Sequence, residues 1–151
     1  MLPPDDDLFV RLGQIVSSPV PRETKAAQVA EAIRQHGNYR WVGIYDVGDA
    51  EISVIAWSGP AAPNYPRFPV DRGLSGAAVK TRRTVIANDV SKDPRYLSTL
   101  DTTGAEMIVP TSDGTRVVGT IDIESERIGR FSEADRKIVE QCADVVRVLW
   151  T

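Results

Sequence analysis

The chain has 151 residues, with 42% apolar and 26% charged side chains and a net charge of −3. This is the size and composition of one globular domain that buries its core without needing disulfides or metals. The acidic balance argues against a general nucleic-acid-binding protein. The start of the chain is acidic, unlike a signal peptide, and no apolar run reaches the ~18 residues of a membrane span. We therefore expect a cytoplasmic protein with no nucleic-acid or membrane partner.

The N-terminal part of the chain predicts two helices. Residues 5–16 carry apolar side chains at helical spacing, and residues 22–36 do the same before Gly37, a residue typical of a helix end. Proline residues separate the two segments. We expect a single domain over residues 1–151, with 1–20 as a helical extension and 21–151 as the core.

The next segments predict β-structure. Residues 39–47 and 51–57 are rich in aromatic and branched side chains and flank Gly48-Asp49, which indicates an antiparallel hairpin. Residues 58–69 carry a proline at every third position. This spacing is typical of polyproline II, either as a ligand for an aromatic groove or as a stiff surface loop, and we favour the loop.

The second half of the chain predicts a further helix, a strand, a long polar loop and a second hairpin. These are residues 73–80, 84–90, 91–104 and the pair 105–111 and 115–125.

A final helix is expected after Ser132, a good N-cap residue. The complete order of elements predicts an α+β fold: a mostly antiparallel sheet of about five or six strands, with helices packed on one face from both termini. The buried side of the last helix is predicted to comprise Ile138, Val139, Cys142, Val145, Val146, Leu149 and Trp150.

Five segments, taken together in this order and spacing, resemble a GAF domain. The resemblance extends over roughly residues 20–150, and each segment alone is a common pattern. The segments are Gly73-Leu-Ser-Gly-Ala-Ala78, Val85-Ile-Ala-Asn-Asp-Val90, Asp93-Pro-Arg-Tyr96, Val118-Gly-Thr-Ile-Asp-Ile-Glu124 and Phe131-Ser-Glu-Ala-Asp-Arg136.

Within the GAF domains, three further segments resemble the free methionine-(R)-sulfoxide reductases. These segments are Trp41-Val-Gly-Ile-Tyr45, Glu106-Met-Ile-Val-Pro110 and Gly119-Thr-Ile-Asp-Ile-Glu-Ser125. The resemblance implies a pocket for one free amino acid. Its aromatic wall would be Trp41 and Tyr45, and its ammonium-binding carboxylates would be Glu106, Asp122 and Glu124.

The residues themselves support part of this pocket. Asp122 and Glu124 lie two positions apart on a strand and share one face, and the same holds for Trp41 and Tyr45, four positions apart. Paired carboxylates on a strand need water, a cation or a hydrogen-bond donor. A solvated sheet face and ordinary aromatic core packing explain the same patterns, and the resemblance favours the pocket.

The resemblance does not extend to the reactive residues of that family. Its cysteine positions fall here on Ser75, on Thr99 or Leu100 depending on a one-residue shift, and near Val85. The same shift places Asp101 on the family's aspartate. Ser75, Thr99 and Asp101 are therefore predicted as ligand-binding residues, and no catalytic residue is predicted.

The remaining reactive side chains give no alternative chemistry. The single cysteine, Cys142, falls on the apolar stripe of the last helix, where it is expected to be a buried hydrophobe with no second thiol to resolve an intermediate. The single histidine, His36, is expected to be solvated at a helix end. There is no histidine and cysteine spacing typical of a metal site, so neither a metal nor a cofactor is expected.

Three functions stay open at this point. The first is a non-catalytic sensor or binding module for an amino acid or an oxidised amino acid. The second is a homodimeric scaffold with a vestigial pocket, and the third is a diverged reductase-like enzyme. The homodimer is expected through the terminal helices, whose apolar side chains exceed what one sheet face needs: Leu8, Phe9, Leu12, Ile15, Val16, Leu149 and Trp150.

Overall fold

The structure, a computed structural model, describes residues 4–151, so residues 1–3 of the expected 1–20 extension lie outside the described residues. The helices are α1 (Pro4–Ser17), α2 (Arg22–Gly37), α3 (Gly73–Thr81) and α4 (Glu133–Val145), with 3-10 turns at Val90–Lys92 and Arg147–Trp150. The strands are β1 (Trp41–Val47), β2 (Glu51–Ser58), β3 (Arg67–Pro69), β4 (Val85–Ala87), β5 (Ala105–Ser112) and β6 (Val117–Ser125).

The strands form one six-stranded sheet in the order β3-β2-β1-β6-β5-β4, with every neighbouring pair antiparallel. This confirms the predicted α+β architecture. Helices α2 and α4 pack on one face of the sheet, as expected for helices from both termini, and α1 packs against both of them. Helix α3 and the loops 59–66 and 88–104 cover the opposite face, and this second layer contains the candidate site.

Strand β3 corrects the expectation of an uninterrupted loop over residues 58–69. Its backbone pairs with Glu51–Ser53 of β2, and Phe68 packs edge-on against Tyr45 with 6.0 Å between ring centroids. The prolines at 66 and 69 obscured this pairing because proline is tolerated only at strand ends and sheet edges. A three-residue edge strand satisfies that limit.

The helix ends follow local backbone chemistry. Helix α2 includes Gly37, and Asn38 takes the left-handed conformation and donates its backbone N–H to carbonyls of the last turn. Ser132 and Asp135 form the capping box of α4, which confirms Ser132 as the N-cap. Helix α4 ends at Val145, earlier than predicted, and the 3-10 turn that follows buries Leu149.

The apolar side chains that suggested a dimer are covered within the chain. Leu8, Leu12 and Val16 are buried against α2 and α4, while Phe9 and Ile15 pack on the same core. Most of the apolar edge that favours a homodimer is therefore covered within the chain, while Phe9, Ile15 and Trp150 stay partly exposed. The homodimer itself stays a prediction. Within residues 4–151, none of the helices is long and apolar enough to cross a membrane.

A pair of substitutions on α1 tests whether this helix is part of the folding unit. Leu12 is fully buried and Val10 on the same helix is 49% exposed. We expect Leu12→Ala to lower the free energy of unfolding by about 2–5 kcal/mol because it leaves a cavity. Val10→Ala should change it by less than about 0.5 kcal/mol. Urea unfolding measures the free energy of unfolding of both variants. If Leu12→Ala changes it as little as Val10→Ala does, α1 is only an appendage to the folding unit.

Candidate functional site

Strand register places the predicted carboxylates side by side. Glu124 on β6 pairs with Glu106 on β5 and with Trp41 on β1, and Asp122 pairs with Gly43 two residues along. Because side chains alternate along a strand, all of these residues share the sheet face beneath α3. Glu106, Asp122 and Glu124 are at most 3% exposed, so a solvated sheet face was the wrong interpretation.

We call Glu106, Asp122 and Glu124 the carboxylate cluster, because one oxygen of each lies within 4.8 Å of the others. Two threonines satisfy part of it: Thr99 Oγ1 donates to Glu106 at 3.4 Å, and Thr103 Oγ1 donates to Glu124 Oε1 at 2.7 Å. Asp122 Oδ1 and Glu124 Oε2 are buried with no hydrogen-bond partner. Among residues 4–151, no lysine, arginine or histidine forms an ion pair with the cluster.

Burial controls the protonation of these groups. It raises the pKa of Asp122 well above its usual range against the opposing effect of the Thr99 hydroxyl, and it raises the pKa of Glu124 from 4.5 to about 8 against the opposing effects of the Thr103 and Thr99 hydroxyls. The pKa of Tyr45 is also raised, first by burial and then by the nearby carboxylates. Near neutral pH the cluster therefore retains protons unless a cation replaces them.

The aromatic wall stands beside the cluster. Trp41 and Tyr45 are buried, with ring centroids 6.4 Å apart, and the Trp41 Nε1–H donates to the carbonyl of Ala61. Gly43 lies between them on the same face, where a Cβ atom would approach the Trp41 ring to 2.4 Å and Tyr45 to 2.8 Å. The glycine therefore makes room for both rings, which explains the spacing of the Trp-x-Gly-x-Tyr segment.

A lid closes the site from above. It combines the first turn of α3, including Ser75, with Leu97 and Thr99 of the loop 88–104. The cavity that remains over Glu106 and Asp122 has a volume of about 10 Å³. That is about the space for one water-sized particle, so an amino acid enters only if the covering loops move.

The structure brings seven of the eight predicted site residues together. Ser75, Thr99, Glu106 and Asp122 line the cavity, while Trp41, Tyr45 and Glu124 are buried on the same sheet face.

Asp101 lies apart from this group. It is exposed, and its Oδ1 accepts a hydrogen bond from Asn64 Nδ2 at 3.0 Å, which joins the two loops above the site. His36 is also remote from the cluster: as expected it lies at the end of α2, where its Nε2 is 2.9 Å from Asp5.

Comparison with known proteins decides the family. The GAF domain family matches residues 21–149. The chain belongs to the GAF domain family. It is similar to GAF domain-containing protein A of Dictyostelium discoideum, with 29% identity over 76% of this chain and 72% of that protein. It is also similar to the free methionine-R-sulfoxide reductase of Escherichia coli K12, with 28% identity over 74% of this chain and 67% of that protein.

Among solved structures, this GAF domain is similar to the free methionine-R-sulfoxide reductase of Neisseria meningitidis in complex with its substrate. The two share 26% identity and a TM-score of 0.86, covering 97% of this chain and 87% of the other. The likeness covers both layers of the fold, so the carboxylate cluster lies in a GAF framework that also occurs in a reductase.

This GAF domain has no thiol in its cavity. Ser75 and Thr99 present hydroxyl groups there, Leu100 belongs to the apolar cluster around Tyr45, and Val85 lies on β4. Cys142 is buried in the core on the other face of the sheet, where burial raises the pKa of its thiol to about 12. This confirms the prediction that Cys142 is a structural residue.

Several residues of the site were not predicted. Thr120 could have been found, since it precedes Asp122 by two positions on the same strand face; its buried Oγ1 has no partner. Phe68 was hidden by the loop interpretation of residues 58–69. Thr103 lies in a polar loop with no periodicity, so no sequence signal indicated its bond to Glu124.

The raised pKa of Glu124 predicts a pH-dependent stability. Between about pH 4.5 and about pH 8 the folded chain binds the Glu124 proton and the unfolded chain does not, so stability falls as pH rises. The free energy of unfolding therefore has a negative slope against pH in this range. We expect Glu124→Gln to make that slope less negative by about 1.4 kcal/mol per pH unit. Urea unfolding from pH 5 to pH 8 in metal-free buffer measures it. Glu126→Gln, an exposed control, should keep the wild-type slope, and an unchanged slope in Glu124→Gln contradicts the assignment.

Proposed function

We propose that this GAF domain is a non-catalytic binding or sensory module for a free amino acid or an oxidised amino acid. The observation that carries the proposal is the carboxylate cluster: three buried acids, with Asp122 Oδ1 and Glu124 Oε2 lacking any partner. Buried carboxylates without a counter-charge destabilise a fold, so such a site is suited to a cationic ligand.

An ammonium group fits the cluster chemically. It carries three donors and a single positive charge, and three converging carboxylates offer one acceptor each. Beside them, Trp41 and Tyr45 offer the apolar faces that a thioether, sulfoxide or similar side chain requires. The likeness to a reductase solved with its substrate supports a ligand of this size and class.

Binding of such a ligand requires the lid to open. The backbone N–H of Asn64 donates to the carbonyl of Thr99 at 2.9 Å, and its side chain bonds Asp101, so this residue connects the loops 59–66 and 88–104. Separation of these loops would expose the cavity. The same movement would report occupancy to a partner, which is how a module without its own chemistry could act as a sensor.

The absence of thiols from the cavity supports a non-catalytic role. Sulfoxide reduction in the resembling family needs a thiolate that attacks sulfur and a second thiol that resolves the resulting intermediate. Ser75 and Thr99 can donate hydrogen bonds to a ligand oxygen, but hydroxyl groups cannot undergo this two-electron exchange. The site would therefore hold a sulfoxide without reducing it.

Binding is tested by thermal shift and calorimetry with L-methionine, both methionine sulfoxide epimers and a panel of other free amino acids. We expect at least one to stabilise the domain, by about 2.7 kcal/mol at a hundredfold excess over its Kd. The N-acetylated form of the same amino acid should not bind because it lacks the ammonium group. Asp122→Asn should weaken binding and the exposed Glu126→Gln should not. If no ligand binds, or if acetylated ligands bind equally well, the proposal is wrong.

Catalysis is tested separately by NADPH consumption in the presence of thioredoxin, thioredoxin reductase and free methionine-(R)-sulfoxide. We expect no turnover above the protein-free background, because no cavity residue supplies a thiol. The Cys142→Ala variant is the matched control. Turnover that persists in this variant would show that the pocket is catalytic by another route.

A further inference from the structure

The closed cavity and the carboxylate cluster beneath it do not match an amino acid in size. The cavity has about 10 Å³, enough for one monatomic ion or one water molecule. Yet the cluster brings together three carboxylates that carry a charge of −3 once a cation displaces their protons, with no basic side chain paired to it among residues 4–151. The closed conformation therefore calls for a small occupant of high positive charge.

We propose that, with its lid closed, the domain binds one hard divalent cation of Ca²⁺ size at Glu106, Asp122 and Glu124. This goes beyond the proposed amino-acid binding and does not depend on it. The sequence predicted no metal site because it has no histidine and cysteine spacing typical of one. Strand pairing between β5 and β6 supplies the oxygen ligands instead.

The geometry of the cluster suits such a cation. Oxygens that bind Ca²⁺ lie about 2.3–2.6 Å from it, so two ligands on opposite sides are separated by at most about 5 Å. One oxygen from each of Glu106, Asp122 and Glu124 lies within 4.8 Å of the others, which places all three inside one coordination sphere. No strand has to move to form it.

Orphaned oxygens beneath the cavity are a second, independent observation. Thr103 holds Oε1 of Glu124 and leaves Oε2 without a partner, and Asp122 Oδ1 is likewise unpartnered. A cation bound by the carboxylate cluster would satisfy both of these oxygens.

The donor set identifies the class of metal. Every ligand atom offered is a carboxylate or hydroxyl oxygen, which hard cations prefer, and no imidazole or thiolate is present in the cavity lining. Mg²⁺ usually keeps several of its waters, and a cavity of about 10 Å³ leaves no room for them. Ca²⁺ accepts irregular oxygen cages with carboxylates bound through both oxygens, so the three carboxylates can supply most of its ligands without water, and Ca²⁺ is therefore favoured.

A shared site makes the two ligands competitors. Since an ammonium ligand would contact the same three carboxylates, a bound cation and a bound amino acid exclude one another. The cation favours the closed lid and the amino acid requires an open one. Occupancy by the cation would thereby set the concentration at which the proposed amino-acid ligand is sensed.

The test is calorimetry of the chelator-stripped full chain with Ca²⁺, Mg²⁺ and Mn²⁺, together with Tb³⁺ luminescence sensitised through Trp41. This indole lies opposite Glu124 in the strand pairing and is one of three tryptophans, so emission that is lost in Trp41→Phe locates the ion. We expect one Ca²⁺ to bind per chain and Mg²⁺ to bind at least tenfold more weakly. Added Ca²⁺ should displace bound Tb³⁺ and abolish its sensitised emission. Asp122→Asn and Glu124→Gln should each weaken Ca²⁺ binding at least tenfold, and circular dichroism checks their folding.

The controls separate this site from surface charge. Asp6 lies in the exposed acidic first turn of α1, so Asp6→Asn should leave Ca²⁺ binding unchanged. Absence of Ca²⁺ binding at millimolar concentration, or undiminished binding in both cluster variants, overturns the proposal. If an amino acid binds and Ca²⁺ does not, the cation proposal is wrong and the proposed function is supported. If Ca²⁺ binds and no amino acid does, the proposed function is wrong and the cation site is supported.

Discussion

The structure depends on one constraint: antiparallel pairing of β5, β6 and β1 buries three carboxylates next to one another. The register sets Glu106 beside Glu124, and Glu124 beside Trp41. A shift of the pairing by one residue would move these side chains to the opposite face of the sheet, which α2 and α4 cover. The sheet therefore fixes the composition of the site. Its charge is costly to bury, and the two threonine donors offset only part of that cost.

The fold tolerates this cost because the two faces of the sheet have separate roles. On β6, Ile121 and Ile123 point into the large core beneath α1, α2 and α4, whereas the alternate residues form the site. The core residues supply the burial that stabilises the domain. The other face, covered only by α3 and two loops, can then hold groups that destabilise the ligand-free state. A ligand that satisfies them stabilises the fold, which couples occupancy to stability.

The sequence predicted those parts of the molecule in which local pattern and tertiary structure agree. Alternation on β6 placed Asp122 and Glu124 on one face, and the capping residue Ser132 marked the start of α4. It did not predict β3, because the prolines around Phe68 indicated a loop. It also placed Asp101 in the site by alignment alone, although that residue is exposed and bonds Asn64.

What could not be predicted depends on distances between segments remote in sequence. Glu106 and Glu124 converge only through cross-strand register, and the small volume of the closed cavity depends on how Leu97 and Ser75 pack over them. Neither appears in any local pattern. Spacing along the chain therefore carries no sign of the carboxylate cluster, which exists only in the folded arrangement.

The architecture separates the proposed recognition residues from most of the positions that resemble reactive cysteines. The carboxylates and Trp41 belong to β1, β5 and β6, whereas the positions that resemble reactive cysteines belong to α3, to the loop 88–104 and to the edge strand β4. Replacement of a thiol by the hydroxyl of Ser75 or Thr99 changes the lid and leaves the register of the strands untouched. The proposed binding role therefore rests on carboxylates whose positions are set by strand pairing, whichever residues occupy positions 75 and 99 of the lid.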